Sequence, residues 1–152
     1  MGMARSDRIQ EVVQAILANQ RFIVTTHVRP DGDALGSLLA MAFMLRRLGK
    51  QVDMYCQDPM PHLYAFLPGA DSVIQGVPPN TQHDAAILVD CGDLLRVGPQ
   101  LAERIRELPM LINIDHHVSS ESFGHACWVE SSASSPCEML FDLFEHLPAA
   151  ID

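Results

Sequence analysis

The chain has little positive charge: Lys and Arg total 10 against 19 Asp and Glu, a formal net charge of −9 over 152 residues. Duplex DNA is bound mainly by neutralising many backbone phosphates, so this balance argues against long duplex DNA as a partner. It leaves room for a short RNA or DNA oligonucleotide, or a nucleotide, held at one metal-rich point. Cysteine is sparse as well. Cys56, Cys91, Cys127 and Cys137 include no C-x-x-C pair, which argues against a zinc knuckle or a redox dithiol. They read as reduced, mostly buried thiols of a cytoplasmic protein. No apolar run approaches the ~18 residues needed to span a bilayer, and the start lacks the apolar core of a signal peptide. Met1-Gly2 with Ser6 fits the loose myristoylation pattern, but a single acyl chain without a second signal anchors weakly, so no membrane partner is expected. Internal repeats, low-complexity tracts and linkers are missing too.

What is present suits one globular domain. Hydrophobic residues make up 48% of the chain, and the length sits near the usual ~100–150 residues of a domain. Ile9, Val12, Val13, Ile16 and Leu17 recur at helical spacing, which predicts an amphipathic helix over Arg8–Ala18 with Asp7 as N-cap. Arg21–Thr26 is β-branched and non-alternating, as buried parallel strands are. A second helical stripe runs from Leu35 to Leu48 and stops at Gly49. Further strands are expected over Gln51–Cys56, Ala85–Asp90 and Met110–Asp115, with a helix over Pro99–Glu107. Five prolines between Asp58 and Pro79 predict loops around a short helix at most. Ser135-Pro136-Cys137-Glu138 has an N-cap Ser, Pro at N1 and Glu at N3, and opens a last helix to about His146. Strand–helix alternation of this kind predicts an α/β fold: three layers, a mostly parallel sheet with helices on both faces, Rossmann-like.

Three of these strands end in acidic and imidazole side chains. The first runs into His27-Val28-Arg29-Pro30-Asp31-Gly32-Asp33, another into Asp90-Cys91-Gly92-Asp93, the last into Asp115-His116-His117. Ligands of open parallel sheets bind outside the carboxyl ends of the strands, so these residues are expected to meet in one crevice. Asp31, Asp33, Asp90 and Asp115 gathered there would repel one another, and bound dications remove that problem. Mixed carboxylate and imidazole ligation suits Mn²⁺ or a similar borderline metal better than Ca²⁺; Mg²⁺ and Co²⁺ are the other candidates. Two such ions, ~3.5–4 Å apart, activate water and clamp both oxygens of a phosphoryl transfer. Elsewhere the residues read plainly. His62, His83, His125 and His146 are expected in surface or capping roles, Met41 and Met44 in a helical core stripe, and Trp128 in the core.

The motifs His27-x-x-Pro30-Asp31-Gly32-Asp33-Ala34-Leu35-Gly36-Ser37, Val89-Asp90-x-x-Asp93 and Asp115-His116-His117 resemble the first three motifs of the DHH phosphoesterase superfamily. Asp93-x-x-Arg96-x-Gly98 and Phe123-Gly124 resemble its RecJ-like nanoRNase and 3′-phosphoadenosine-5′-phosphate phosphatase branch. The resemblance implies that residues 1–152 are a catalytic domain hydrolysing short oligonucleotides or bisphosphorylated nucleotides with two divalent ions. By the same resemblance His27 and Asp31 hold one ion, Asp33 and His116 the other, and Asp90 bridges both. Asp115 orients an imidazole, and His117 faces the scissile phosphate. Arg96, Ser134 and Ser135 are candidate phosphate contacts, for which solvation and helix capping are the plainer alternatives.

The chain departs from the family pattern on the substrate side. Ser119-Ser120-Glu121 stands where an Asn is common, and Ser134-Ser135-Pro136 where Ser-Ser-Thr is common. It also stops at Asp152, before the fourth Asp motif and the smaller C-terminal substrate-binding domain that the resemblance implies. On that reading one ion is well held, the second is short of a carboxylate, and turnover by this stretch alone is low. The competing expectations are a family II inorganic pyrophosphatase, which shares the metal motifs, and a metal or nucleotide sensor without turnover. A haloacid-dehalogenase phosphatase would need a nucleophilic Asp at the first strand end, where His27 stands.

Overall fold

A computed structural model describes residues 4–79 and 82–148; Met1 and Gly2 of the myristoylation-like pattern lie outside the described residues. The elements follow as α1 (Arg5–Leu17), β1 (Arg21–Thr25), α2 (Gly32–Arg47), β2 (Gln51–Cys56), β3 (Val73–Gln75), β4 (Ala85–Val89), α3 (Pro99–Arg106), β5 (Met110–Asp115), β6 (Ala126–Val129) and α4 (Pro136–Phe144). The six strands form one sheet in the order β3-β2-β1-β4-β5-β6, every neighbouring pair parallel.

The expected three-layer α/β architecture is the one observed, and the period of two along the strands explains it. Phe22, Val24, Ile87, Val89, Ile112 and Ile114 point to one face, where they pack with α1, α2 and α4 around Trp128 and Met41. Ile23, Ala86, Leu88 and Leu111 point to the other, where Leu101, Ala102 and Ile105 of α3 cover them. Each fully buried Val, Leu, Ile, Met or Phe side chain among these contributes roughly 1.5–3 kcal/mol. The crossover from β1 passes over the first face through α2, and that from β4 over the second through α3. The loops leaving β1 and β4 therefore diverge between two adjacent strands, which opens a crevice at the switch point.

Some boundaries differ from those expected. The first helix starts at Arg5 with Ala4 as its N-cap, and Asp7 lies in the first turn, where its charge still suits the helix dipole. The second starts three residues early because Asp31 caps it, accepting from Ala34 N–H at 2.9 Å. Two short edge strands escape the sequence pattern. β3 has only three residues, and β6 alternates between buried and half-buried positions. Both are set by pairing, β3 with Met54–Cys56 and β6 with Ile112–Asp115. None of the cysteines is disulfide-bonded: Cys56 and Cys91 are buried, Cys127 is half-buried and Cys137 is exposed. Burial pushes the Cys56 thiol up to about 12 and the Cys91 thiol well above its ordinary range, so neither is a nucleophile at neutral pH. Among the described residues, no helix is long and apolar enough to cross a membrane.

Candidate metal centre

Hydrogen bonds between distant segments hold the strand-end loops together. Thr26 Oγ1 donates to Val89 O at 2.7 Å, Val28 N–H to Arg96 O at 2.7 Å, and Asp90 N–H to Ile114 O at 3.1 Å. Gly98, at φ +106°, lets the loop carrying Arg96 turn into α3; a Cβ there would lie 2.1 Å from Gln57 Oε1.

Asp90 is the centre of the arrangement. It is 3% exposed and sits at φ +61°, in the left-handed region that costs a non-glycine residue energy. Its Oδ2 lies 3.4 Å from His27 Nε2, which is in turn 3.9 Å from Asp31 Oδ1. Its Oδ1 lies 3.4 Å from His116 Nε2 and 3.8 Å from His117 Nε2. Two sets of groups can each close around an ion, His27–Asp31–Asp90 and Asp90–His116–His117.

The second nitrogen of each ring decides what faces Asp90. His27 Nδ1 lies 2.7 Å from Val28 O, His116 Nδ1 3.4 Å from Ala133 O, and His117 Nδ1 2.6 Å from Asp115 Oδ1. A carbonyl or a carboxylate can only accept, so Nδ1 is the protonated nitrogen in each neutral ring and Nε2 presents a lone pair. Three lone pairs thus point at one buried carboxylate. That is repulsive unless a proton or a cation lies between, and without a cation the Asp90 carboxylate draws the His27 imidazole above its ordinary pKa. Asp90 Oδ1 and Asp115 Oδ2 are buried with no hydrogen-bond partner among the described residues. The donor set and the orphaned oxygens both fit divalent cations.

The remaining candidates divide. His117, 46% exposed against 11% for His27 and 20% for His116, is the imidazole open to solvent. It lines a crevice of about 110 Å³ with Arg96, Asp93, Ser119 and Glu121. Asp33, exposed on the first turn of α2, belongs to neither ion-closing set. Two residues apart on a helix start, Asp31 and Asp33 point in different directions. Ser135 Oγ accepts from Glu138 N–H at 3.3 Å, and Ser134 donates its N–H and hydroxyl to Glu138 at 2.7 and 2.6 Å, so both serines are engaged in starting α4. Glu121 and Ser119 were visible in the sequence only as a departure from a motif, and the crevice gives them a place. A larger groove of about 520 Å³ beside α2 and α4 is lined mostly by apolar side chains together with Arg46 and Arg47, and carries none of the carboxylate and imidazole groups described above. His83, His125 and His146 make local contacts instead, with Asp53, Leu111 N–H and Asp142 O.

Fold and site together define a doubly wound α/β protein with an Asp–His centre at its switch point. The chain belongs to the DHH family: the model of that family's N-terminal domain matches residues 21–151. It is 31% identical over 137 residues to the bifunctional oligoribonuclease and PAP phosphatase NrnA of Bacillus subtilis, covering 88% of this chain and 41% of the relative. It is 32% identical over 142 residues to the protein of the same name from Thermus thermophilus, covering 91% and 40%. The chain therefore spans about two-fifths of the length of these curated relatives. In fold it matches an exopolyphosphatase-related protein of Bacteroides fragilis, with a TM-score of 0.84 at 22% identity over 94% of this chain and 44% of that one.

Proposed function

We propose that this chain is the metal-holding part of a phosphoesterase that hydrolyses short oligoribonucleotides and 3′-phosphoadenosine-5′-phosphate. The observation that carries the reading is the convergence of three imidazole Nε2 atoms on the buried, strained Asp90. The names of the two NrnA relatives support the substrate class.

Two divalent ions, with Mn²⁺ as first choice, supply charge neutralisation and a water of lowered pKa when bound. His27, Asp31 and Asp90 Oδ2 would hold one. Asp90 Oδ1 and His116 would hold the other, with Asp33 as the carboxylate the family resemblance adds. Asp115 fixes the ring plane and tautomer of His117, and so aims Nε2 into the crevice. From there His117 can donate to a non-bridging phosphoryl oxygen when protonated. Arg96, a permanently charged fork on the same wall, can hold a second oxygen.

The test, made on the full-length protein, is release of mononucleotides from a di- or trinucleotide RNA, and of phosphate from 3′-phosphoadenosine-5′-phosphate, with Mn²⁺ and with excess chelator. Hydrolysis of both, lost on chelation and absent on long duplex DNA, is expected. A kcat/KM for pyrophosphate higher by an order of magnitude or more would replace this reading with a pyrophosphatase.

A further inference from the structure

Resting on that reading, the crevice wall carries a group that sorts its substrates. The segment after His117 is pinned to the loop after β4. Glu121 N–H donates to Gly92 O at 2.7 Å, Ser120 Oγ donates to the same oxygen at 3.4 Å, and Ser120 N–H donates to His117 O at 3.2 Å. Ser122 follows at φ +52°, a strained conformation kept by this clamp. Glu121 is thereby fixed on the wall of the crevice, exposed, and its carboxylate has no hydrogen-bond or ion-pair partner among the described residues. The Arg96 guanidinium has none either.

At about 110 Å³ the crevice is well below the roughly 300–1,000 Å³ of a site that encloses a whole ligand, so it can take a phosphoryl group while the rest of the substrate extends beyond it. Whatever is attached to that group leaves over the rim. There the fixed charges are Arg96 against Asp93 and Glu121. A nucleotide with a second phosphate on the same ribose brings another charge of about −1.5 to −2 to this rim. A short RNA with a free 5′-hydroxyl brings no such charge; its 2′-hydroxyl is shared with the bisphosphate and does not separate the two.

We infer that Glu121 is a specificity-determining residue, which disfavours a second phosphate on the ribose that carries the scissile one. The protein prefers short RNA to a bisphosphorylated nucleotide for this reason. A unit charge at rim distance in a solvated site changes affinity by about three- to tenfold, and salt screens the effect.

The experiment measures, on the full-length protein, Kd and kcat/KM for 3′-phosphoadenosine-5′-phosphate and for an RNA dinucleotide with a free 5′-hydroxyl, with Mn²⁺, on the wild type, Glu121→Gln and Glu121→Asp. In Glu121→Gln the RNA-to-bisphosphate preference should fall about fivefold in both quantities, mostly by a gain on the bisphosphate. Glu121→Asp should keep the wild-type preference, and 1 M salt should shrink the difference between wild type and Gln. If both substrates are bound and cleaved but the preference moves less than twofold in Glu121→Gln, the inference is overturned and the phosphoesterase reading stands. A wild type that binds and cleaves neither overturns both.

Discussion

At the amino ends of β1 and β4, Asp84 accepts hydrogen bonds from the backbone N–H groups of Gln20 and Arg21, both at 3.0 Å. At the carboxyl ends of the same two strands, Asp90 is buried, strained in φ, faces three imidazoles and has one oxygen without a hydrogen bond. Both are aspartates on loops joined to β4, six residues apart. One closes the fold and is satisfied by the chain itself; the other keeps an oxygen that nothing among the described residues satisfies. A carboxylate that stabilises a structure and a carboxylate that serves chemistry are told apart by whether their acceptor sites are filled.

The comparison can be broken most forcefully at Asp90. Saturating Mn²⁺ at about 100 Kd should stabilise the wild type by about 2.7 kcal/mol, a rise in Tm of about 5–10 °C for a domain of this size. Asp90→Ala should abolish that rise and lower turnover by about 10³-fold or more, since both ion-closing sets share this residue. Calorimetry with and without the metal decides it, and an undiminished shift in the variant would mean that the ions bind elsewhere.

Without metal, the two aspartates should respond with opposite signs. Above the pH at which the His27 imidazole gives up its proton, Asp90→Asn removes a buried charge left without a partner, and Asn tolerates positive φ, so the metal-free Tm should rise there by the equivalent of about 1 kcal/mol. Asp84→Ala should lower it by about 1 kcal/mol, because two backbone donors lose a charged acceptor. The backbone hydrogen bonds from Arg21 and Gln20 hold the Asp84 carboxyl below its ordinary range. A carboxylate with a depressed folded pKa contributes stability that is present above its unfolded value, ~3.9, and is lost as pH falls through the folded one. The cost of Asp84→Ala should therefore be constant from about pH 5 to 8 and fade below about pH 4. Equal signs for Asp84 and Asp90 in metal-free denaturant titrations would erase the contrast.

The smallest effect is expected at Ser135, whose hydroxyl caps α4. Ser135→Ala should cost about 0.5–1 kcal/mol of stability and leave the Mn²⁺ shift unchanged. A tenfold loss of nucleotide affinity instead would move Ser135 from the helix start into the substrate site.

From sequence alone, apolar patterning sufficed for the four longest strands and the first two helices, and the Ser-Pro-x-Glu start for the last helix, because apolar spacing encodes which face is buried and a capping residue marks where a helix begins. Acidic and imidazole residues at three strand ends likewise sufficed to locate one crevice, since parallel strands bring their carboxyl ends to one edge of the sheet. The short strands Val73–Gln75 and Ala126–Val129 were not legible: three or four residues carry too little pattern, and their conformation comes from pairing with β2 and β5. Nor could spacing show that Asp31 both caps α2 and faces His27, that the Asp115 carboxylate reaches the ring of His117, or that Asp33 stands outside both ion-closing sets. Such assignments depend on side-chain direction and on distances of a few ångströms between segments far apart in the chain. Only the packed sheet and the hydrogen bonds between its loops determine those.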